Sequence, residues 1–386
     1  MNNSMACCGS VLGALLISAC GSGDTPGTTG GAGGKGGAAA STTASSTSTG
    51  GGAGGGVGGS GGGGTGGSVV DPVGTEGDGD IVIGPNYTDA PEISKVAGVP
   101  QGKSFSFKML SKNSAFYTGH DPTLKPALSG DFTRNVEVVI PAAYVDGTDA
   151  PFMVVQDARD HDPIVNTINN LIADAAHPFP PVIAIFVANG GNDSIGSERG
   201  LEYDTMSEKY QQFIDAEVLP AIPKDSNVKA AYPALKLTSD PEGRGAYGCS
   251  SGGAAALTMG WFGGDTYRRI ITYSGTFVDQ QNPVAPTEVQ YPNGAWEYTD
   301  QLIVGNPKKP LRVFQEAGEH DNGYMNDEAS HHNWVMANQR VAAALKAKGY
   351  HYRFVFAKGA GHCDAGPIRQ TIPDTLRWMW RGYPVK

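Results

Sequence analysis

Short runs of consecutive apolar residues alternate along this chain with stretches in which apolar residues return every three or four positions. Residues 150–156 and 181–187 are near-continuous apolar runs of strand length, the pattern of strands covered on both faces. Residues 243–247, 269–273, 311–315 and 352–357 are further expected strands. Helices are expected over 164–175, 206–222, 334–348 and 373–381, and residues 254–262 form a helix of small and apolar side chains. Within 206–222, Tyr210, Phe213, Ile214, Val218 and Leu219 fall at helical spacing, so one face is apolar. Residues 103–116 and 133–140 are expected to open a sheet as an antiparallel pair. Strands alternating with helices predict an α/β fold, with a mainly parallel central sheet and helices on both faces. Residues 223–239 and 278–303 carry no strong period and are expected to rim a site or form a small cap.

The first 94 residues break the pattern. The apolar run 11–20 is too short to cross a bilayer and fits the core of an export signal. Ile17-Ser18-Ala19-Cys20 resembles a bacterial lipobox, which implies lipidation at Cys20. Residues 1–9 depart from that signal by holding no Lys or Arg. Residues 21–68 contain 23 of the chain's 56 glycines, mixed mostly with Ser, Thr and Ala. Such a tract cannot bury enough apolar surface to offset its chain entropy and is expected to be a disordered tether. Its reach as a flexible coil is on the order of 40 Å. Asp71, Glu76, Asp78 and Asp80 among Gly and Pro extend the linker to residue 94. The expected organisation is a signal over 1–20, a linker over 21–94 and one catalytic domain over 95–386. The protein is then exported and lipid-anchored to the outer membrane or cell surface, with a secreted or periplasmic form as the alternative. Its only membrane contact is through the lipid. A formal net charge of -10 argues against nucleic acid as a partner; oligomeric state is not legible.

Candidate chemistry centres on Tyr247-Gly248-Cys249-Ser250-Ser251-Gly252-Gly253. Gly-x-Ser-x-Gly between an expected strand and helix is the nucleophile elbow of an α/β-hydrolase. The glycines leave room for a sharp turn, Ser250 stands exposed at its tip, and the Ser251 amide at the helix start faces a developing oxyanion. A serine nucleophile needs a base, and the base needs an acid. His362 is the only histidine in the loop after strand 352–357. Glu316, Glu319 and Asp321 all follow strand 311–315; Asp321 is preferred because the acid needs a loop to reach the histidine. His320, His331 and His332 are candidates for a metal cluster, but adjacent residues on a helix point in different directions, so no metal is expected. This chemistry requires no other cofactor.

From residue 133 onward the chain resembles the enterochelin-esterase-like and esterase D-type α/β-hydrolases. The resemblance is carried by Val154-Val155-Gln156-Asp157, Arg199-Gly200-Leu201-Glu202-Tyr203-Asp204, Asp240-Pro241-Glu242-Gly243-Arg244 and Gly318-Glu319-His320-Asp321. It is also carried by Asn333-Trp334 with Ala337-Asn338-Gln339, and by Leu376-Arg377-Trp378-Met379-Trp380-Arg381. It implies a triad of Ser250, Asp321 and His362, with the second oxyanion amide near Ala158 and Arg159. Ala158 departs from the family's glycine there. Arg199, Glu202 and Tyr203 match positions that either contact substrate or brace the site, and Trp334 is a candidate pocket residue.

Cys249 precedes Ser250 and Cys363 follows His362. If the serine and histidine meet, their neighbours can meet at disulfide distance, and an exported protein is in an oxidising compartment. The Cys-Ser and His-Cys pairs resemble those of tannase-type feruloyl esterases and fungal glucuronoyl esterases. The implied substrates are small esters or esters linked to cell-wall polysaccharide (feruloyl, acetyl or glucuronoyl). A siderophore esterase, an acyltransferase of related fold and a non-catalytic binding lipoprotein are the alternatives.

Overall fold

The computed structural model describes residues 77–386 except 194, 264–265, 281–288, 290 and 386. The expected signal, the lipidation at Cys20 and the tether up to residue 76 lie outside the described residues.

Nine strands form the main sheet: β1 Gly79–Ile83, β2 Lys103–Leu110, β3 Thr133–Ile140, β4 Phe152–Gln156, β5 Ile183–Val187, β6 Arg244–Cys249, β7 Arg269–Tyr273, β8 Arg312–Gly318 and β9 His351–Ala357. Their order across the sheet is β1-β9-β8-β7-β6-β4-β5-β3-β2. All neighbours run parallel except β2 with β3 and β3 with β5. The expected antiparallel opening is present, with Lys103 opposite Ile140 and Leu110 opposite Thr133.

Every residue of β4, β5 and β7 is buried, because helices cover both faces. Successive side chains of β4 go to opposite cores. Phe152 and Val154 face one that includes Phe213, Leu257 and Val341, while Met153 and Val155 face another that includes Ile164 and Trp378. The helix Ser251–Phe262 is buried all round except at its last residue, which explains why its sequence lacks an amphipathic stripe. Residues 206–222 do not form one regular α-helix: α-helix Lys209–Phe213 passes through a π-helical turn, Ile214–Val218, into Leu219–Ala221.

The structure corrects the reading of residues 77–94 as linker. β1 is an edge strand in parallel register with β9, from Gly79 opposite Arg353 to Ile83 opposite Ala357. The acidic residues there are anchors: Asp78 holds His351 Nδ1 at 2.8 Å and accepts from Trp378 Nε1 at 3.0 Å, and Asp80 pairs with Lys346 at 3.1 Å. The domain therefore includes residues from 77 onward.

Candidate active site

Strand β6 delivers Ser250 to the end of the sheet. Ser250 takes φ 59° and ψ -132°, a left-handed conformation that costs strain outside glycine. Close packing enforces the turn. A Cβ on Gly248 would lie 2.1 Å from the carbonyl oxygen of Gly252, and one on Gly252 would meet Gln156 Cβ and Asp157 Oδ2 at 3.1 Å. The Ser250 amide donates to the Tyr273 carbonyl at 3.0 Å, tying the elbow to β7.

The loops after β8 and β9 are zipped together, with the Glu319 amide on Ala357 O at 2.9 Å and the His320 amide on Ala360 O at 2.8 Å. Gly318 permits this approach, because a Cβ there would lie 2.5 Å from Ala360 O. The zipped loops present Asp321 to His362: Asp321 Oδ1 sits 2.5 Å from His362 Nδ1, and His362 Nε2 sits 2.9 Å from Ser250 Oγ. Asp321 is fully buried and also accepts from the Asn322 amide at 2.7 Å. Of the three carboxylates left open by the sequence, Asp321 meets the histidine. Glu319 accepts from the Gly359 amide at 2.9 Å. Glu316 is buried inside β8, and burial, followed by the nearby Asp321 charge, pushes its carboxyl well above the usual range.

Cys249 and Cys363 form a disulfide with Cα atoms 6.1 Å apart. The Cys363 amide also donates to Ser274 Oγ at 2.9 Å, so Cys363 holds the histidine loop through both its side chain and its backbone.

Val155 of β4 lies opposite Tyr247 of β6. The strand ends at Gln156, and the turn after it starts against the elbow, where a Cβ on Gly252 would meet Asp157 Oδ2 at 3.1 Å. Asp157 and Ala158 have φ 62° and 50°, the region glycine enters freely, which is a physical reason for the glycine that the resembling enzymes carry there. Arg159 ion-pairs with Asp160 at 2.7 Å, and Asp160 accepts from Tyr247 Oη at 2.8 Å.

Arg199, Glu202 and Tyr203 brace this turn and its surroundings. Arg199 grips Asp157 through two bonds of 2.9 Å, and Asn189 Nδ2 donates to the same carboxylate at 2.7 Å. Tyr203 Oη accepts from the Asp157 amide at 3.0 Å. Glu202 is buried against Arg134, with one contact at 3.0 Å, and accepts from the Gly190 amide at 3.1 Å. Trp334 caps the site from the side: its ring stands edge-on to His362 at 6.0 Å, and its Nε1 donates to Thr276 Oγ1 at 3.1 Å.

Two residues near the nucleophile escaped the sequence reading. Thr276 Oγ1 lies 3.3 Å from Ser250 Oγ. Asp204 is buried near Ser251 and accepts from Gln280 Nε2 at 3.3 Å; burial pushes its carboxyl up to about 7. Asp204 ends the segment Arg199–Asp204 that carries the family resemblance, but nothing in that segment marks its place beside the elbow; Thr276 has no sequence signature, since its position depends on which loops the fold brings together. The histidines considered for metal are dispersed: His320 packs on Tyr324, His331 on Trp296 and His332 on Trp334. Among the described residues no three His, Cys, Asp or Glu side chains are grouped to hold a metal ion, and no helix is long and apolar enough to cross a membrane.

A mainly parallel sheet, a strained serine elbow at the end of its middle strand and late loops bearing the acid and histidine define an α/β-hydrolase-type enzyme. The family model described as "Putative esterase" matches residues 130–379. The chain belongs to that family, and its class of chemistry is carboxylic ester hydrolysis. Similar solved structures include a ferulic acid esterase from Anaeromyces mucronatus, at 12% identity and TM-score 0.50, covering 77% of this chain and 98% of that one. They also include enterochelin esterase from Shigella flexneri, at 18% identity and TM-score 0.47, covering 74% of this chain and 60% of that one. The first likeness speaks to the fold alone. A search of curated proteins gave no match.

Proposed function

We propose that the protein is an exported serine esterase, tethered through lipidated Cys20, that hydrolyses small or polysaccharide-linked carboxylic esters by way of an acyl-enzyme. Ser250 attacks the ester carbonyl while His362 Nε2 takes its proton, and Asp321 holds the imidazole tautomer and offsets its charge. The amides of Ser251 and of Ala158 or Arg159 receive the oxyanion. Water activated by His362 then releases the acid. The observation that carries this reading is the unbroken contact from Asp321 through His362 to Ser250, at 2.5 and 2.9 Å.

The substrate class we favour is cell-wall polysaccharide esters, feruloyl first. The cysteine bridge beside the nucleophile and base supports it, and so does the export reading of the N-terminus. Arg199, Glu202 and Tyr203 serve as braces in this reading. The test is turnover of a short-chain p-nitrophenyl ester by the full chain and by Ser250→Ala. Loss of turnover in the variant supports the nucleophile and leads to feruloyl, acetyl and glucuronoyl esters. Turnover retained by Ser250→Ala rejects the mechanism. A correctly folded wild type that neither turns over esters nor reacts with a fluorophosphonate indicates a binding protein.

A further inference from the structure

Among the described residues the Ser250 hydroxyl has two polar side-chain neighbours, His362 Nε2 at 2.9 Å and Thr276 Oγ1 at 3.3 Å. Trp334 Nε1 donates to the same threonine oxygen at 3.1 Å. Thr276 is 1% exposed and Trp334 6% exposed, so bulk water is kept from the threonine hydroxyl.

Donor and acceptor chemistry fixes the direction of this chain. An indole N–H only donates, so it occupies a lone pair of Thr276 Oγ1. Among the described residues, the hydroxyl proton of Thr276 then has one acceptor within reach, Ser250 Oγ. The opposite arrangement, with Ser250 donating to Thr276, would leave the threonine proton without an acceptor and His362 Nε2 without its donor. Trp334 and Thr276 are themselves held by backbone bonds. The Thr276 amide donates to Ser250 O at 3.0 Å, and the Trp334 amide donates to Asn322 O at 3.0 Å, beside Asp321.

We propose that Thr276 is a catalytic hydrogen-bond donor to the nucleophile oxygen, aimed by Trp334, and that it stabilises Ser250 Oγ as negative charge gathers there. The proposal rests on the reading of Ser250 as nucleophile. In acylation a bond forms between Ser250 Oγ and the carbonyl carbon as the serine proton moves to His362 Nε2; the bond from that carbon to the alkoxy oxygen then breaks with its electron pair going to the oxygen, which takes the proton from His362 and leaves as the alcohol. In deacylation water adds to the acyl carbon and gives a proton to His362. The carbon–Oγ bond then breaks with its electron pair going to Oγ, which recovers the proton from His362 Nε2. Thr276 keeps its own proton throughout. The resting separation of 3.3 Å exceeds the usual O–H···O length of about 2.8 Å. The bond is therefore weak in the ground state and shortens as Oγ becomes charged. Only such a differential interaction raises the rate of the chemical step.

The test compares full-length wild type, Thr276→Val, Thr276→Ser and Ser250→Ala on a p-nitrophenyl ester, with steady-state rates, the pre-steady-state burst and melting temperature. Valine keeps the volume and removes the donor. The expected result is that Thr276→Val lowers kcat and kcat/KM together by on the order of 10-fold, as for loss of a bond made in the transition state. Thr276→Ser is expected to stay within about 3-fold of wild type, since it restores the hydroxyl. Unchanged rates in Thr276→Val, or equal losses in the valine and serine variants, overturn the proposal. Should the valine variant lose its native melting temperature, Trp334→Phe serves instead, because it removes the aiming donor and leaves the threonine. A loss of about 3-fold in kcat then supports the proposal, and wild-type kcat overturns it. Turnover retained by Ser250→Ala is a separate outcome, which rejects the nucleophile reading itself.

Discussion

Cys249 and Cys363 are joined across 114 residues of sequence, and each adjoins one member of the pair Ser250 and His362. The bridge fastens the strained elbow to the histidine loop next to Ser250 Oγ and His362 Nε2, which lie 2.9 Å apart. A loop that long removes substantial entropy from the unfolded chain when it is closed.

Replacing both cysteines by serine is therefore expected to act twice. Stability should fall by about 5 kcal/mol, the loop-closure estimate for a ring of this size, and kcat should fall in the fraction that remains folded. Thermal unfolding and turnover of the double variant, measured beside oxidised wild type, check both. A double variant with native melting temperature and native kcat would show that the bridge constrains nothing of consequence.

Two of the carboxylates that follow strand residues 311–315, Asp321 and Glu319, make separable predictions. Asp321→Asn should keep the fold and lose kcat on the order of 10,000-fold, the size seen when a triad aspartate in serine proteases is made neutral. Glu319→Gln should stay near wild type, because that side chain meets a loop amide and not the histidine. Equal, small losses in the two variants would remove Asp321 from its role.

Much of this was legible in the sequence, and the misses have physical causes. Strand Arg269–Tyr273 matches its expected bounds, and its Arg269 and Thr272 are buried with the apolar residues of the run. The two residues that meet at 2.9 Å are the serine of an elbow flanked by a strand and a helix and the single histidine of the last loop. The C-terminal helix was expected to begin at Pro373, a good first-turn residue. It begins at Ala365 instead, since Asp364 caps the Gly366 amide at 2.9 Å and Pro373 is carried inside the helix. Strand β1 was read as linker because its partner β9 lies some 270 residues away, and its own five residues hold only a short apolar run. Thr276 was invisible for a similar reason: its importance comes from the meeting of Ser250 and Trp334, not from anything adjacent to it.

Gly318 gives a sharper test of how the acid is positioned. Alanine there would bring a Cβ to 2.5 Å from Ala360 O and 2.6 Å from Gly361 O. The loops carrying Asp321 and His362 would have to separate, while the cores on either side of the sheet are untouched. The expected outcome for Gly318→Ala is a near-native melting temperature with kcat reduced at least about 100-fold, since small displacements of catalytic groups carry costs of that order. Near-native kcat would mean the two loops tolerate separation and that their backbone zipper is not what sets the triad geometry.

Glu198 and Asp204 make stability depend on pH in an unusual direction. Burial, reinforced for Glu198 by the Glu202 charge, pushes their carboxyls up to about 7 from ordinary values of 4.5 and 3.8. Raised folded-state values mean that the native protein holds these protons more tightly than the unfolded chain does. Their contribution to stability is therefore fully present below the unfolded values and is lost as pH climbs through the window ending near 7. Most paired carboxylates act in the opposite sense, so the informative quantity is a difference between proteins. Glu198→Gln and Asp204→Asn cannot release the proton at issue, and each should gain melting temperature relative to wild type on going from about pH 5 to about pH 8. A melting-temperature difference that stays constant across that range would show that neither carboxyl changes its charge there, and that buried solvent or a shift of the surrounding side chains keeps it ionised at the lower pH.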